Sequence, residues 1–74
     1  MRCVLVSTRD VWSELLYDRL RRTLPDIQWD RIDSPEGVLG LSLGDIDFAF
    51  FFRWPHIVPD EVHRSSVECV VFHT

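Results

Sequence analysis

The chain has 74 residues, of which 46% are hydrophobic, and its 8 basic and 12 acidic side chains give a net charge of −4. A chain of this length forms one small domain, which buries only about 60% of the surface that it exposes when unfolded. The apolar content predicts a packed core and excludes an intrinsically disordered protein. The negative charge argues against a protein that binds nucleic acid through its overall charge.

The cysteines and the N-terminus indicate the cellular compartment in which such a protein is expected. Cys3 and Cys69 lie in apolar, strand-like runs, where reduced thiols behave as small hydrophobic side chains rather than as a disulfide scaffold. The N-terminal run CVLV is too short for a signal peptide, and no run approaches the roughly 18 apolar residues of a membrane span. We therefore expect a cytoplasmic protein without a membrane partner.

The first half of the chain predicts a strand, a helix and a second strand. Residues 2–8 form an apolar run typical of a strand buried on both faces. Asp10 is a predicted helix N-cap, and Pro25 ends that helix. In residues 26–33, side chains of different polarity alternate along the chain, which is typical of a strand near a sheet edge. Four apolar residues share one face of the helix: Trp12, Leu15, Leu16 and Leu20.

The second half repeats the alternation of helices and strands. Ser34 and Pro35 begin a predicted short helix or turn that extends to about Gly44. Residues 46–52 form a second strongly apolar run and predict a central strand. A loop with two prolines leads to a helix that begins at Pro59. The run VECVVFH, which ends at His73, predicts the last strand.

The element order predicts an α/β fold, namely half of a doubly wound, Rossmann-like parallel sheet with about four strands. Strands that are separated by helical crossovers are normally parallel, connected with a right hand, and covered by helices on both faces. The second strand is expected outside the first, and the last strand is expected at the opposite edge. Residues 1–74 would form this single domain.

The carboxyl ends of the predicted strands are where a ligand is expected, because open parallel sheets bind ligands there. Ser7 and Thr8, the loop from Arg53 to Pro59, and His73 all follow strands. No metal site is predicted, since Cys69 and His73 lie on one strand about 13 Å apart. The sequence also has no glycine-rich dinucleotide turn and no P-loop.

The loop RWPHIVP is the most informative of these segments. Trp54, His56, Ile57 and Val58 lie around two prolines that stiffen the backbone, and this arrangement favours a preorganised apolar wall for a flat ligand. The alternative is that Trp54 and Ile57 only cap the hydrophobic core.

The segment DIDFAFFFRWPHIVPDEVHRSSVECVVFHT resembles the N-terminal domain of formyltransferases, the family of methionyl-tRNA formyltransferase-like and sugar N-formyltransferase-like proteins. That domain has an apolar strand, a tryptophan-containing loop, a helix begun by proline and a strand that ends in Phe-His. The resemblance implies transfer of a formyl group from 10-formyltetrahydrofolate to an amine. It also implies that His73 is catalytic and that the residues Trp54, His56, Ile57 and Val58 lie near the bound folate.

The same resemblance predicts that the chain is inactive alone. Val71 stands where many formyltransferases have an asparagine, and the family's later aspartate and folate loop would belong to a further segment, so residues 1–74 are interpreted as a truncated domain. Two other hypotheses remain open. One is a non-catalytic interaction module whose last strand pairs with a second copy or with a complementing chain, and the other is a small flavodoxin-like regulator.

Overall fold

The structure, a computed structural model, describes residues 1–43, 45–65 and 67–72. Its strands are β1 (Arg2–Ser7), β2 (Gln28–Ile32), β3 (Phe48–Phe52) and β4 (Glu68–Phe72). Its helices are α1 (Val11–Thr23), α2 (Pro35–Leu39) followed by a 3-10 turn (Gly40–Leu43), and α3 (Asp60–Arg64). The strands are one to three residues shorter than the sequence predicts, and the predicted end of the last strand at His73 lies outside the described residues.

The four strands form one sheet in the order β2-β1-β3-β4, and every neighbouring pair is parallel. The predicted half of a doubly wound α/β fold is therefore confirmed, including the positions of β2 and β4 at opposite edges. The chain leaves β1 towards one edge and crosses back from β2 to β3, so the winding reverses between β1 and β3. Because the connections are right-handed, α1 covers one face of the sheet and α2 and α3 cover the other.

The face beneath α2 and α3, here called the closed face, contains the hydrophobic core. Side chains from β1, β3 and the two helices interlock there with almost no exposed surface. This cluster consists of Val4, Val6, Val38, Leu41, Ile46, Ala49, Phe51, Val62 and Val67. Gly37 allows α2 to approach the sheet, since a Cβ at that position would lie 2.7 Å from a methyl carbon of Ile32.

The opposite face, here called the open face, is covered by α1 over only part of its width. Cys3, Leu5 and Ser7 of β1 are fully buried on this side. The register places Phe48 and Phe52 of β3 on the same side, where they are only half-buried, and Phe72 of β4 keeps 49% of its surface exposed. A single 13-residue helix thus leaves the β3 and β4 side of this face uncovered.

Helix α1 begins where the sequence predicts, at a capping box around Asp10. The Asp10 carboxylate accepts a hydrogen bond from the Ser13 amide at 2.9 Å, and Ser13 Oγ accepts one from the Asp10 amide at 3.1 Å. The predicted apolar face of α1 is only partly used. Leu16 and Leu20 are half-buried, whereas Trp12 and Leu15 are 66% and 57% exposed.

Both cysteines are free thiols, and burial raises the pKa of each one. Cys3 is buried on the open face beneath α1, and Cys69 is half-buried and packs against the core of the closed face. Within the described chain, none of the helices has the length and apolar character needed to cross a membrane.

Candidate functional site

The point at which the winding of the sheet reverses lies between β1 and β3, and ligands of open α/β sheets bind at the carboxyl ends of the strands there. The loop from Thr8 to Asp10 follows β1, and the loop from Arg53 to Pro59 follows β3. The sequence therefore placed its candidate loop correctly relative to the sheet. This edge is called the switch-point rim below.

The β1 side of the switch-point rim is a polar turn. Thr8 donates a hydrogen bond from its hydroxyl to Asp10 Oδ2 at 3.2 Å. The backbone amide of Ser13 lowers the pKa of the Asp10 carboxyl, and the Thr8 hydroxyl and the positive charge of Arg53 act in the same direction. Asp10 is thus an ionised hydrogen-bond acceptor that anchors the start of α1, rather than a carboxyl group poised to exchange protons near neutral pH.

The β3 side of the rim turns sharply at Arg53, whose φ of 52° lies in the left-handed region. Trp54 and Val58 then pack against the core, while His56 is exposed and Ile57 is 93% exposed. The rings of Trp54 and His56 meet edge to face with centroids 5.0 Å apart. The alternative in which Ile57 caps the core is therefore wrong, whereas Trp54 does cover the core.

The loop presents an aromatic edge rather than an enclosed pocket. The structure brings Trp54 and His56 together, and Ile57 lies out in solvent on the same loop. His73, the predicted catalytic residue, lies outside the described residues, so its position relative to Trp54 is not part of the structure. Within the described residues no cluster of three or more His, Cys, Asp or Glu side chains could hold a metal ion.

A buried arginine near the rim was not identified from the sequence. The Arg31 side chain is only 7% exposed, and its guanidinium forms an ion pair with Glu14 at 2.6 Å. It also donates hydrogen bonds to Ser13 Oγ at 2.9 Å and to the Thr8 carbonyl at 3.3 Å. Arg31 thereby ties β2 and the end of β1 to the first turns of α1. Its alternating position in β2 was visible in the sequence, but its partners come from other elements.

The larger of two concave features lies on the open face, and we call it the aromatic groove. Its volume is about 430 Å³, and it runs between α1 and the uncovered part of β3 and β4. Its lining consists of Leu5, Leu16, Leu20, Leu24, Trp29, Phe50, Phe52 and Phe72. A second concavity of about 300 Å³ lies on the other face beside α2, and neither of the two is lined by the loop from Trp54 to Val58.

The floor of the aromatic groove is a row of rings from three strands. Phe50 is the centre of this row, with its ring centroid 5.8 Å from Trp29, 6.1 Å from Phe48 and 6.2 Å from Phe72. Trp29 Nε1 is buried and has no hydrogen-bond partner among the described residues. The lining side chains are leucines and aromatic residues, so the groove offers mainly apolar surface and aromatic faces. Such a surface suits an apolar helix or another aromatic surface better than a charged metabolite.

Comparisons of this chain with protein-family models, with curated proteins and with solved structures found no match.

Proposed function

We propose that this chain is an α/β interaction module whose half-covered sheet is completed by another protein chain. The aromatic groove is the observation that carries this proposal. It is the larger of the two concavities described above, and its eight lining side chains are all apolar. A groove with such a lining offers an apolar surface that side chains of a partner can fill.

The edge of the sheet supports the same proposal. β4 is an edge strand whose one free side presents unpaired backbone groups, and Val71 and Phe72 near its end are 46% and 49% exposed. Glu68 is the one charged residue of β4. An apolar edge with so few charges is a template for another chain. A partner could therefore contact both the aromatic groove and the edge of β4, which are continuous through Phe72.

Two substitutions and an apolar dye test the proposal. Phe72→Glu places a charge at the mouth of the groove, and Ile57→Glu makes the same kind of change at an exposed apolar residue outside it. We expect the wild type to bind an anilinonaphthalene dye or to associate with rising concentration, and Phe72→Glu alone to abolish this behaviour. A wild-type monomer that binds no dye, or equal effects of both variants, would contradict the proposal.

We propose a second candidate function, in which the chain forms part of a formyltransferase-like domain that uses 10-formyltetrahydrofolate as formyl donor. The position of the Trp54 to Val58 loop at the switch-point rim favours it, because a flat pterin ring could stack on the exposed edge formed by Trp54 and His56. In this function His73 contacts the formyl group, and an imidazole there would stabilise the oxyanion formed by amine attack.

Folate titration tests this second candidate. Trp54→Phe retains an aromatic ring against the core and removes the indole, so it is a milder change than alanine. Folate derivatives should quench the fluorescence of the wild type, and the quench should be lost in Trp54→Phe but kept in Trp12→Phe. Formyl transfer by the 74-residue chain alone should be undetectable. An unchanged quench in Trp54→Phe would rule out the proposed folate site.

A further inference from the structure

We infer that the partner of the interaction module adds an extended segment of its own chain to the free edge of β4, as a fifth strand of the sheet. The segment belongs to a different protein, and it is apolar in its middle and basic at the end that lies beside Glu68. This inference rests on the proposed interaction function and names the form and the charge of the partner.

The backbone of β4 presents hydrogen-bonding groups away from the sheet at two residues. Glu68 donates its amide to the Asp47 carbonyl at 3.0 Å, which directs the backbone groups of Glu68 towards β3. Backbone groups alternate in direction along a strand, so Val70 also bonds to β3, whereas the N–H and C=O groups of Cys69 and Val71 point outwards. These outward groups have no hydrogen-bond partner among the described residues. An extended backbone supplies donors and acceptors at the same spacing.

Exposed apolar side chains on both faces of β4 select a strand over a helix as the occupant. Val71 is 46% exposed and lies on the closed-face side, while Phe72 is 49% exposed and lies on the open-face side. A helix laid in the aromatic groove contacts the open face alone and leaves Val71 and the outward backbone groups uncovered. A neighbouring strand places its side chains alternately on the two faces and covers both residues.

The other edge strand of the sheet, β2, is already protected against such an addition. The Tyr17 hydroxyl donates a hydrogen bond at 3.2 Å to the Trp29 carbonyl, which points outwards from β2. Asp30 pairs with Arg2 at 3.0 Å on one face, and Arg31 pairs with Glu14 of α1 on the other. Charged side chains and covered backbone groups are the usual protection of an edge strand. The free edge of β4 has neither along most of its length.

The charges at the beginning of β4 favour a basic partner. Glu68 is exposed and forms no ion pair with any residue in the described part of the chain, and Asp47 lies beside it at the start of β3. The chain as a whole has a net charge of −4, so it repels a second copy of itself and attracts a basic segment. A Lys or Arg side chain at this end of the added strand would pair with Glu68.

Amide hydrogen exchange, measured by NMR on the full chain, tests the edge directly. In the free protein the amides of Cys69 and Val71 should exchange at least about tenfold faster than the amide of Val70, which is bonded within the sheet. The probe is the peptide Lys-Phe-Val-Phe-Val-Phe-Lys, N-methylated at its valines so that only one of its edges can pair. It should slow the exchange of Cys69 and Val71 at least about tenfold. The same peptide methylated at every residue is the control and should slow neither amide.

Two substitutions of Val71 separate the backbone of β4 from its side chains. Val71→Pro removes an outward N–H and no hydrogen bond within the sheet, a change that edge strands tolerate. The variant should remain folded by circular dichroism and should bind the peptide at least about tenfold more weakly than the wild type. Val71→Thr retains the amide and a β-branched side chain, so it is the matched control and should bind within about threefold of the wild type.

A charge reversal keeps the test decisive if Val71→Pro does not fold. Glu68→Lys should weaken binding of the Lys-ended peptide about threefold to fivefold. Asp26→Lys changes the net charge by the same amount at an exposed residue before β2, on the opposite edge. It should therefore have a smaller effect than Glu68→Lys. Equal weakening by the two charge variants would contradict the placement of the basic end beside Glu68.

The remaining outcomes separate this inference from the proposed function. Unchanged exchange of Cys69 and Val71 at about 1 mM peptide, or equal binding by Val71→Pro and Val71→Thr, would overturn the strand addition. Dimerisation of the wild type that Val71→Pro abolishes would overturn the choice of a different protein, since a second copy would then supply the strand. A wild type that binds the dye in a Phe72-dependent manner but not the peptide would keep the interaction function, and one that binds neither would overturn both.

Discussion

The two faces of this sheet are built from the same four strands, yet they differ in how completely they are covered. On the closed face, Val6, Ala49, Phe51 and Val62 are all fully buried beneath α2 and α3. On the open face, α1 covers only part of the sheet, and rings from β2, β3 and β4 form the floor of a groove. The closed face therefore contains most of the tightly packed core, and the open face is the surface that the proposed interaction would use.

The largest expected effect is the difference in stability loss between a phenylalanine truncation on the closed face and one on the open face. Phe51→Ala removes a fully buried ring and should cost about 3–5 kcal/mol of unfolding free energy, a large part of the total for a small domain. Phe72→Ala on the half-exposed strand β4 should cost under about 1.5 kcal/mol. Urea denaturation followed by circular dichroism measures both. Similar losses in the two variants would show that the faces do not differ in the proposed way.

The next effect concerns how α1 is held on the open face. Arg31→Met removes a buried charge with several hydrogen bonds and should lower the unfolding free energy by about 1.5–3 kcal/mol. Arg9→Met is the control, because Arg9 pairs with Asp33 at the surface and should change stability by less than about 1 kcal/mol. If both variants lose the same amount, α1 is held by its apolar contacts and not by the buried arginine.

The sequence predicted the order of strands and their direction because strand and helix periodicities alternate, and handedness then leaves few topologies. It could not predict how much of a face one helix covers. Trp12 and Leu15 have the periodicity of buried residues and are exposed, since burial depends on a second layer that helical periodicity does not specify. Likewise, Arg31 became buried through partners on α1, and the alternation of β2 contains no information about them.

The candidate site could be predicted only in part. The loop after β3 was placed correctly, because its position follows from the strand order. The division of that loop into a packed Trp54 and an exposed Ile57 depends on the turn at Arg53, which no residue type announces. The aromatic groove was missed, although alternate residues of β3 were all phenylalanine. Its floor needs the register of β4 against β3, and that register is a tertiary feature.

A smaller effect distinguishes two glycines beside the closed face. Gly37→Ala should destabilise the fold by about 1–3 kcal/mol, since its Cβ would lie 2.7 Å from Ile32 Cγ2. Gly40→Ala meets nothing within 4 Å and has a helical φ of −69°, so it should stabilise by about 0.4–1 kcal/mol. Thermal melts of the two variants should shift in opposite directions. A stabilising Gly37→Ala would mean that α2 packs loosely.

The smallest expected effect is a change in the pH dependence of unfolding. The pKa values of Asp10 and Asp33 are lowered in the folded chain, by the Ser13 amide and by Arg9 respectively. The stability they contribute is therefore complete above about pH 4, near the unfolded pKa, and is lost as the pH falls through the lowered folded values. Asp10→Asn retains a good N-cap and should flatten this acid slope. If the unfolding free energy of both Asp10→Asn and Asp33→Asn falls with acid as steeply as that of the wild type, these two carboxyl groups are not the source of the pH dependence.

The raised pKa values of the two thiols have a consequence for the lifetime of the protein. A thiol reacts with oxidants through its thiolate, and a higher pKa leaves less thiolate at neutral pH. Cys3 is almost fully buried on the open face, and Cys69 is half-buried against the core, so both should react more slowly with peroxide while the sheet is intact than after it opens. The rate at which a thiol reagent labels the two native cysteines should therefore report how often the sheet opens, and no introduced cysteine is needed.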